Sequence, residues 1–145
     1  MGKEMIFELI RDRTKLKGTA YFEFLPGEFA GNFWNPDSVY LSEKSLSIFE
    51  GRLKSINERY DHYAFVYFDR HQTQLLVDYL NSLIGNLDSG KGLEFSESHF
   101  VSEYKMELNS NVFSDRNDLR TMLTELVDWL NSKTVAESGV AILGI

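Results

Sequence analysis

Three stretches of this chain repeat apolar residues at alternating intervals of three and four, and short β-prone runs separate them. That alternation restricts the fold more than any other feature. From Ser42, a capping residue, Leu46, Phe49, Leu53, Ile56 and Tyr60 form one apolar stripe and predict a helix to about Tyr60. Glu50 and Lys54 stand four apart and read as a favourable pair on the opposite face. Asp69 with Gln72 three residues later resembles a capping box. It opens a second helix lined by Leu76, Leu80, Leu83 and Leu87, with Gly85 as the expected C-cap. Ser114 caps a third helix over 115–132, buried through Leu119, Met122, Leu123, Leu126 and Leu130. Asp115 and Asp118 in its first turn, and Lys133 past its last, complement the helix dipole.

The intervening runs read as strands. Residues 4–10 and 18–25 alternate on either side of RDRTKLK and predict an antiparallel hairpin. Residues 39–41 make a short strand. Tyr63–Phe68 is apolar on both faces, the pattern of a central strand. One or two strands are expected within 93–108, and 139–145 closes the chain as another. The expected fold is α+β: three helices packed on a mixed, largely antiparallel sheet of about six strands.

With 145 residues, 1–145 reads as a single domain large enough to bury a core without staples. The 2 Trp, 7 Tyr and 11 Phe exclude a disordered chain. No cysteine is present, which removes disulfides, thiolate–zinc sites and a Cys nucleophile together. The first residues, MGKEMIFELIRDR, lack a secretory pattern, and Ile6 stands where myristoylation of Gly2 would want Ser or Thr. No run approaches the roughly 18 apolar residues of a membrane span. A cytoplasmic protein with no membrane partner is expected. The net charge of −7 argues against a phosphate backbone as ligand, so no nucleic-acid partner is expected either. Arg11, Arg13, Lys15 and Lys17 read as a solvated hairpin tip.

Catalytic motifs do not hold up. Residues 85–91, GNLDSGK, have phosphate-loop spacing, but Gly92 replaces the Ser/Thr that would hold magnesium, and the loop follows a helix where it should open one. Asp69-Arg70-His71 ends the expected central strand, yet Asp69 already serves as an N-cap. Glu97 and His99 would share one strand face while Glu94 points away, which does not make three converging ligands. No nucleophile elbow exists. The chain is read as a non-enzyme with no cofactor and no metal.

Two features remain. Residues 60–145 hold 13 Asp/Glu against 6 Lys/Arg, whereas 1–59 hold 9 of each. Asp88, Glu94, Glu97, Glu103, Glu107, Asp115 and Asp118 are the candidates for an acidic surface that meets a basic partner. The irregular loop 26–38 strings Phe29, Phe33 and Trp34 among Gly27, Gly31 and Asn32. Loop aromatics are typical of binding hot spots, and they equally serve as a lid folded back on a core.

A small, cysteine-free, acidic α+β chain without a catalytic motif resembles the immunity proteins of bacterial contact-dependent growth inhibition and related polymorphic-toxin systems. The resemblance spans the whole chain and is one of general character. It implies a protein that binds and neutralises one cognate toxin domain, a basic nuclease, in the cytoplasm. The core that three capped helices and a sheet provide makes a monomer or weak dimer the expected state. Two other classes stay open: a small-ligand enzyme or binding domain, which would show a deep pocket with convergent polar groups, and a general protein–protein interaction module.

Overall fold

The computed structural model describes residues 7–18, 20–90, 109–137 and 139–144. After a 3-10 turn at Arg13–Lys15, the elements run β1 (Tyr21–Pro26), β2 (Val39–Ser42), α1 (Glu43–Ser47), α2 (Glu50–Ile56), β3 (Phe65–Phe68) and α3 (Arg70–Asp88). A short helical stretch α4 (109–114) then leads to α5 (Arg116–Glu137) and β4 (Val140–Leu143). The fold is α+β. Its described sheet has four strands in the order β2-β1-β4-β3, and every pair is antiparallel. The strands expected within 93–108 lie outside the described residues.

Period-two alternation gives the sheet two unlike faces. Phe22, Phe24, Val39, Leu41, Val66, Phe68, Val140 and Ile142 turn one way, into a core shared with Leu46, Phe49 and Leu53 of the α1–α2 region and with the stripes of α3 and α5. Leu76, Leu80, Leu119, Leu123, Leu126 and Leu130 are fully buried there. The opposite face carries Tyr40, Glu23, Leu143 and Phe65, aligned in one cross-strand row by the register. Leu25, Ala141 and Phe29 make a small second cluster beside Leu143.

Several sequence expectations are corrected. The described part of the first run, 7–10, does not pair with β1, which already has β2 and β4 on its two sides; Ile10 instead exchanges backbone hydrogen bonds with Tyr40 of β2. The hairpin is β1–β2, joined across the irregular loop. β3 stands at one end of the described order, not at its centre. Its two-sided apolar pattern arises because Phe65 and Tyr67 turn toward the face that the loop partly covers. The helix expected over 42–60 breaks at Phe49, whose backbone (φ −133°, ψ 5°) leaves the helical region. That break turns Glu50 inward, where it is 4% exposed, so Glu50 and Lys54 do not form a surface pair. Lys54 Nζ reaches the Tyr60 carbonyl instead.

The second helix starts as read. The Asp69 carboxylate accepts from the Gln72 amide at 2.8 Å and the Gln72 side chain accepts from the Asp69 amide at 3.0 Å. It runs through Gly85 to Asp88, and Gly90, at φ +78°, takes the left-handed position that only glycine adopts freely. Most of the apparent phosphate-loop spacing is therefore helix. The third helix starts at Arg116, with Ser114 inside α4 and its hydroxyl turned to Asp115 instead of capping. It extends to Glu137, beyond the expected end, and is fastened to α3. Arg116 donates to the Leu87 carbonyl, and Arg120 is bidentate to Asp88. Among the described residues no helix is long and apolar enough to cross a membrane.

Leu53 and Leu123 are both fully buried, so Leu53→Ala and Leu123→Ala should each destabilise by roughly 2–5 kcal/mol in urea unfolding. Unfolding midpoints equal to the parent's for both variants would contradict this packing.

Candidate functional site

The face of the sheet turned away from the helices is organised by Glu23. Alternation along β1 forces its side chain onto this face, and it is only 1% exposed. A carboxylate there requires donors, since burying an unpaired charge is far costlier than any single contact can offset. The connection 27–38 supplies them. Oε1 accepts from the Trp34 amide at 2.7 Å, and Oε2 accepts from the Asn35 amide at 3.0 Å, Asn35 Nδ2 at 2.8 Å and Ser38 Oγ at 2.6 Å. The Tyr40 hydroxyl donates to the Asn35 carbonyl at 2.8 Å. Burial, then the Glu23 charge, push that phenol up to about 12. Arg13 donates to the Trp34 carbonyl at 2.7 Å from outside the loop.

This clamp holds Trp34 at φ +57°, a conformation costly for a bulky residue and one that persists where surrounding contacts enforce it. It also seats the loop aromatics. Phe29, Phe33 and Phe65 form a mutual trio with ring centroids 5.1–5.4 Å apart, and Trp34 packs on Tyr40 at 5.4 Å. The loop is lid and display at once. Phe29 folds back on Leu25, Ala141 and Leu143, while Phe33 stays 51% exposed. Tyr63 and Phe65, at 64% and 47%, continue the exposed aromatic surface from the next strand. Between them runs a groove of about 500 Å³, lined by Tyr21, Glu23, Phe33, Trp34, Tyr63 and Phe65 and floored by Leu143 and Gly144. A Cβ on Gly144 would lie 2.5 Å from the His62 carbonyl oxygen, so only glycine permits that close approach.

Among the acidic candidates, only Asp88, Asp115 and Asp118 are described. Glu94, Glu97, Glu103 and Glu107 are outside the described residues. Asp88 is engaged by Arg120, which holds its carboxyl below the usual range through a hydrogen bond. Asp115 is buried and accepts from Ser114 Oγ at 2.9 Å. Asp118 is half-buried on α5. These three belong to the helical layer and its junctions, so the structure does not bring them together with Phe29, Phe33 and Trp34 on the far face of the sheet.

Sequence reasoning missed Glu23, Tyr21, Tyr63 and Phe65. The available signal was alternation: Tyr21 and Glu23 share the face opposite Phe22 and Phe24, and YAFVYF puts Phe65 on the same side.

A second constellation surrounds His62. Its Nδ1 meets Glu50 Oε2 and its Nε2 lies 3.2 Å from Glu43 Oε1, while the Tyr60 hydroxyl donates to Glu50 Oε2 at 2.6 Å. Burial and the Glu50 carboxylate raise the Tyr60 phenol well above its ordinary range. These side chains line neither the aromatic groove nor the polar notch beside Asn57 and Arg59. Their effect is to fasten the first turns of α1 and α2 to the segment that leads into β3. Among the described residues no three His, Asp or Glu side chains are grouped to hold a metal ion.

Comparison of the chain with protein-family models, with curated proteins and with solved structures finds no match.

Glu23→Ala should lower stability by at least about 3 kcal/mol in urea unfolding, because hydrogen bonds to charged groups contribute about 1.5–3 kcal/mol each and four are lost. A variant within about 1 kcal/mol of the parent would mean that aromatic packing, not the carboxylate, holds the loop.

Proposed function

We propose that the protein is a non-catalytic binding module that neutralises a cognate toxin domain, as the immunity proteins it resembles do, and that it docks through the aromatic groove. The observation that carries this reading is the continuous exposure of Phe33, Tyr63 and Phe65 on a preformed surface. Leaving such rings in water forgoes roughly 1.5–3 kcal/mol apiece that burial would supply. Contiguous exposed apolar surface on a soluble domain marks an interaction site. Aromatic anchors dominate interface energetics, and a loop already fixed loses little entropy on docking.

The groove suits a protein better than a small polar substrate. A small-ligand site needs convergent polar groups with free valences. Here the principal polar group, Glu23, already accepts four hydrogen bonds from its own loop. The net charge of −7 favours a basic partner, in keeping with a nuclease toxin acting in the cytoplasm. On this reading Glu94, Glu97, Glu103 and Glu107 steer the encounter and the aromatic face anchors it, with the protein acting as a monomer or weak dimer.

The test is co-expression and co-purification with a toxin domain encoded beside it. Phe33→Ala combined with Phe65→Ala should weaken binding by at least about 100-fold, since two hot-spot truncations cost about 2 kcal/mol or more each, while the melting temperature stays near the parent's. Reversing Glu97, Glu103 and Glu107 to Lys should slow association and flatten its salt dependence. Full affinity in the aromatic double variant, or a toxin left active on co-expression, would overturn the proposal.

A further inference from the structure

The chemistry of the groove names the kind of group it takes. Of the eight residues around it five are aromatic, namely Tyr21, Phe33, Trp34, Tyr63 and Phe65; Leu143 and Gly144 form the floor, and the one charged group is the buried carboxylate of Glu23. Phe29, Phe33 and Phe65 meet at interplanar angles of 48–72°, which makes a faceted wall instead of a flat stack. Aromatic faces carry partial negative charge and attract cations. The Glu23 hydrogen bonds disperse its charge over dipoles but do not remove it, and no Lys or Arg among the described residues pairs with it. Fields from a charge set in apolar surroundings are weakly screened.

The two segments that carry the wall aromatics, 27–38 and 61–69, hold four acidic residues, Glu28, Asp37, Asp61 and Asp69, and no Lys or Arg in sequence. Arg13 commits its guanidinium to the Trp34 carbonyl, and its charge also reaches the Tyr40 hydroxyl. An aromatic trough above a carboxylate that is hydrogen-bonded but has no ion-pair partner among the described residues is complementary to a cation with an apolar body.

We propose that the groove receives the guanidinium of an arginine side chain presented by the protein partner. This rests on the reading of the chain as a protein-binding module and specifies what it grips. Arginine fits better than lysine for two reasons. Its planar guanidinium stacks on aromatic rings, and it is more weakly hydrated than an ammonium, so it loses less on entering a mostly apolar groove. Glu23 is too deeply buried for a direct ion pair, so it acts through its field while the rings make the contact.

The experiment is a two-dimensional amide NMR titration of the intact chain with acetyl-arginine amide, acetyl-lysine amide and the neutral isostere acetyl-citrulline amide. The arginine probe should shift the amides of Trp34, Phe65 and Gly144 and the Trp34 indole, and bind about tenfold tighter than citrulline, the ratio that about 1.4 kcal/mol of cation–π attraction supplies. Phe65→Ala, at a half-exposed position, should abolish that preference without unfolding the chain. Equal shifts from citrulline, equal or tighter binding of lysine, or arginine shifts confined to carboxylates outside the groove would each overturn the assignment. The broader reading fails separately. Toxin capture that depends on Phe33 and Phe65 without arginine preference sinks only this inference, whereas arginine preference without toxin capture sinks only the immunity function.

Discussion

A carboxylate placed where the alternation of a central strand forces it inward has to be satisfied by whatever chain lies nearest. Glu23 sits in β1 between β2 and β4, with Tyr40 and Leu143 as its cross-strand neighbours. Water does not reach it, so the β1–β2 connection folds across the sheet and delivers two amides, a side-chain amide and a hydroxyl. Everything on that face follows. Trp34 takes a left-handed backbone because its own amide is one of the four donors. Phe29 is carried onto Leu25 and Ala141, and Phe33 is left beside Phe65 at the edge of a groove. An apolar residue at position 23 would let the loop detach and leave the aromatic surface without definition.

The helical face obeys a second constraint of the same kind. The break at Phe49 lets Leu46, Phe49 and Leu53 all enter the core, and in doing so it turns Glu50 inward. Tyr60 and His62 supply its partners, and His62 also reaches Glu43. The segment they belong to continues directly into Tyr63 and Phe65. The buried polar cluster on one side of the sheet thus positions the strand whose outward rings form half of the groove on the other. Fully satisfied polar networks of this type favour one arrangement over its neighbours, because each member left unpaired would be expensive.

The parts legible in the sequence were those governed by local periodicity. The stripe from Leu76 to Leu87, the Asp69–Gln72 capping box, the buried set from Leu119 to Leu130 and the closing strand around Ile142 all lie where spacing puts them. The misreadings came from non-local choices. Nothing local tells residues 7–10 that β1 will be occupied on both sides, or tells Glu50 that a tyrosine and a histidine ten and twelve residues later will draw it in. Gly85 looked like a stop because glycine usually ends helices, but Gly90 meets that need one turn later. The loop aromatics were named from composition. Their meaning was not, since Phe29 packs on Leu25, Ala141 and Leu143 while Phe33, in contact with it, stays exposed. The carboxylate that fastens the loop carrying both was one acidic residue among 22.

Amide hydrogen exchange in the free protein tests the central claim most directly. If the Glu23 carboxylate fixes the loop before any partner arrives, the amides of Trp34 and Asn35 must open only with the sheet beneath them. Their protection should match that of the β1–β2 ladder. Exchange of Trp34 and Asn35 at the rate of an unstructured chain, while the ladder stays protected, would contradict a preformed groove.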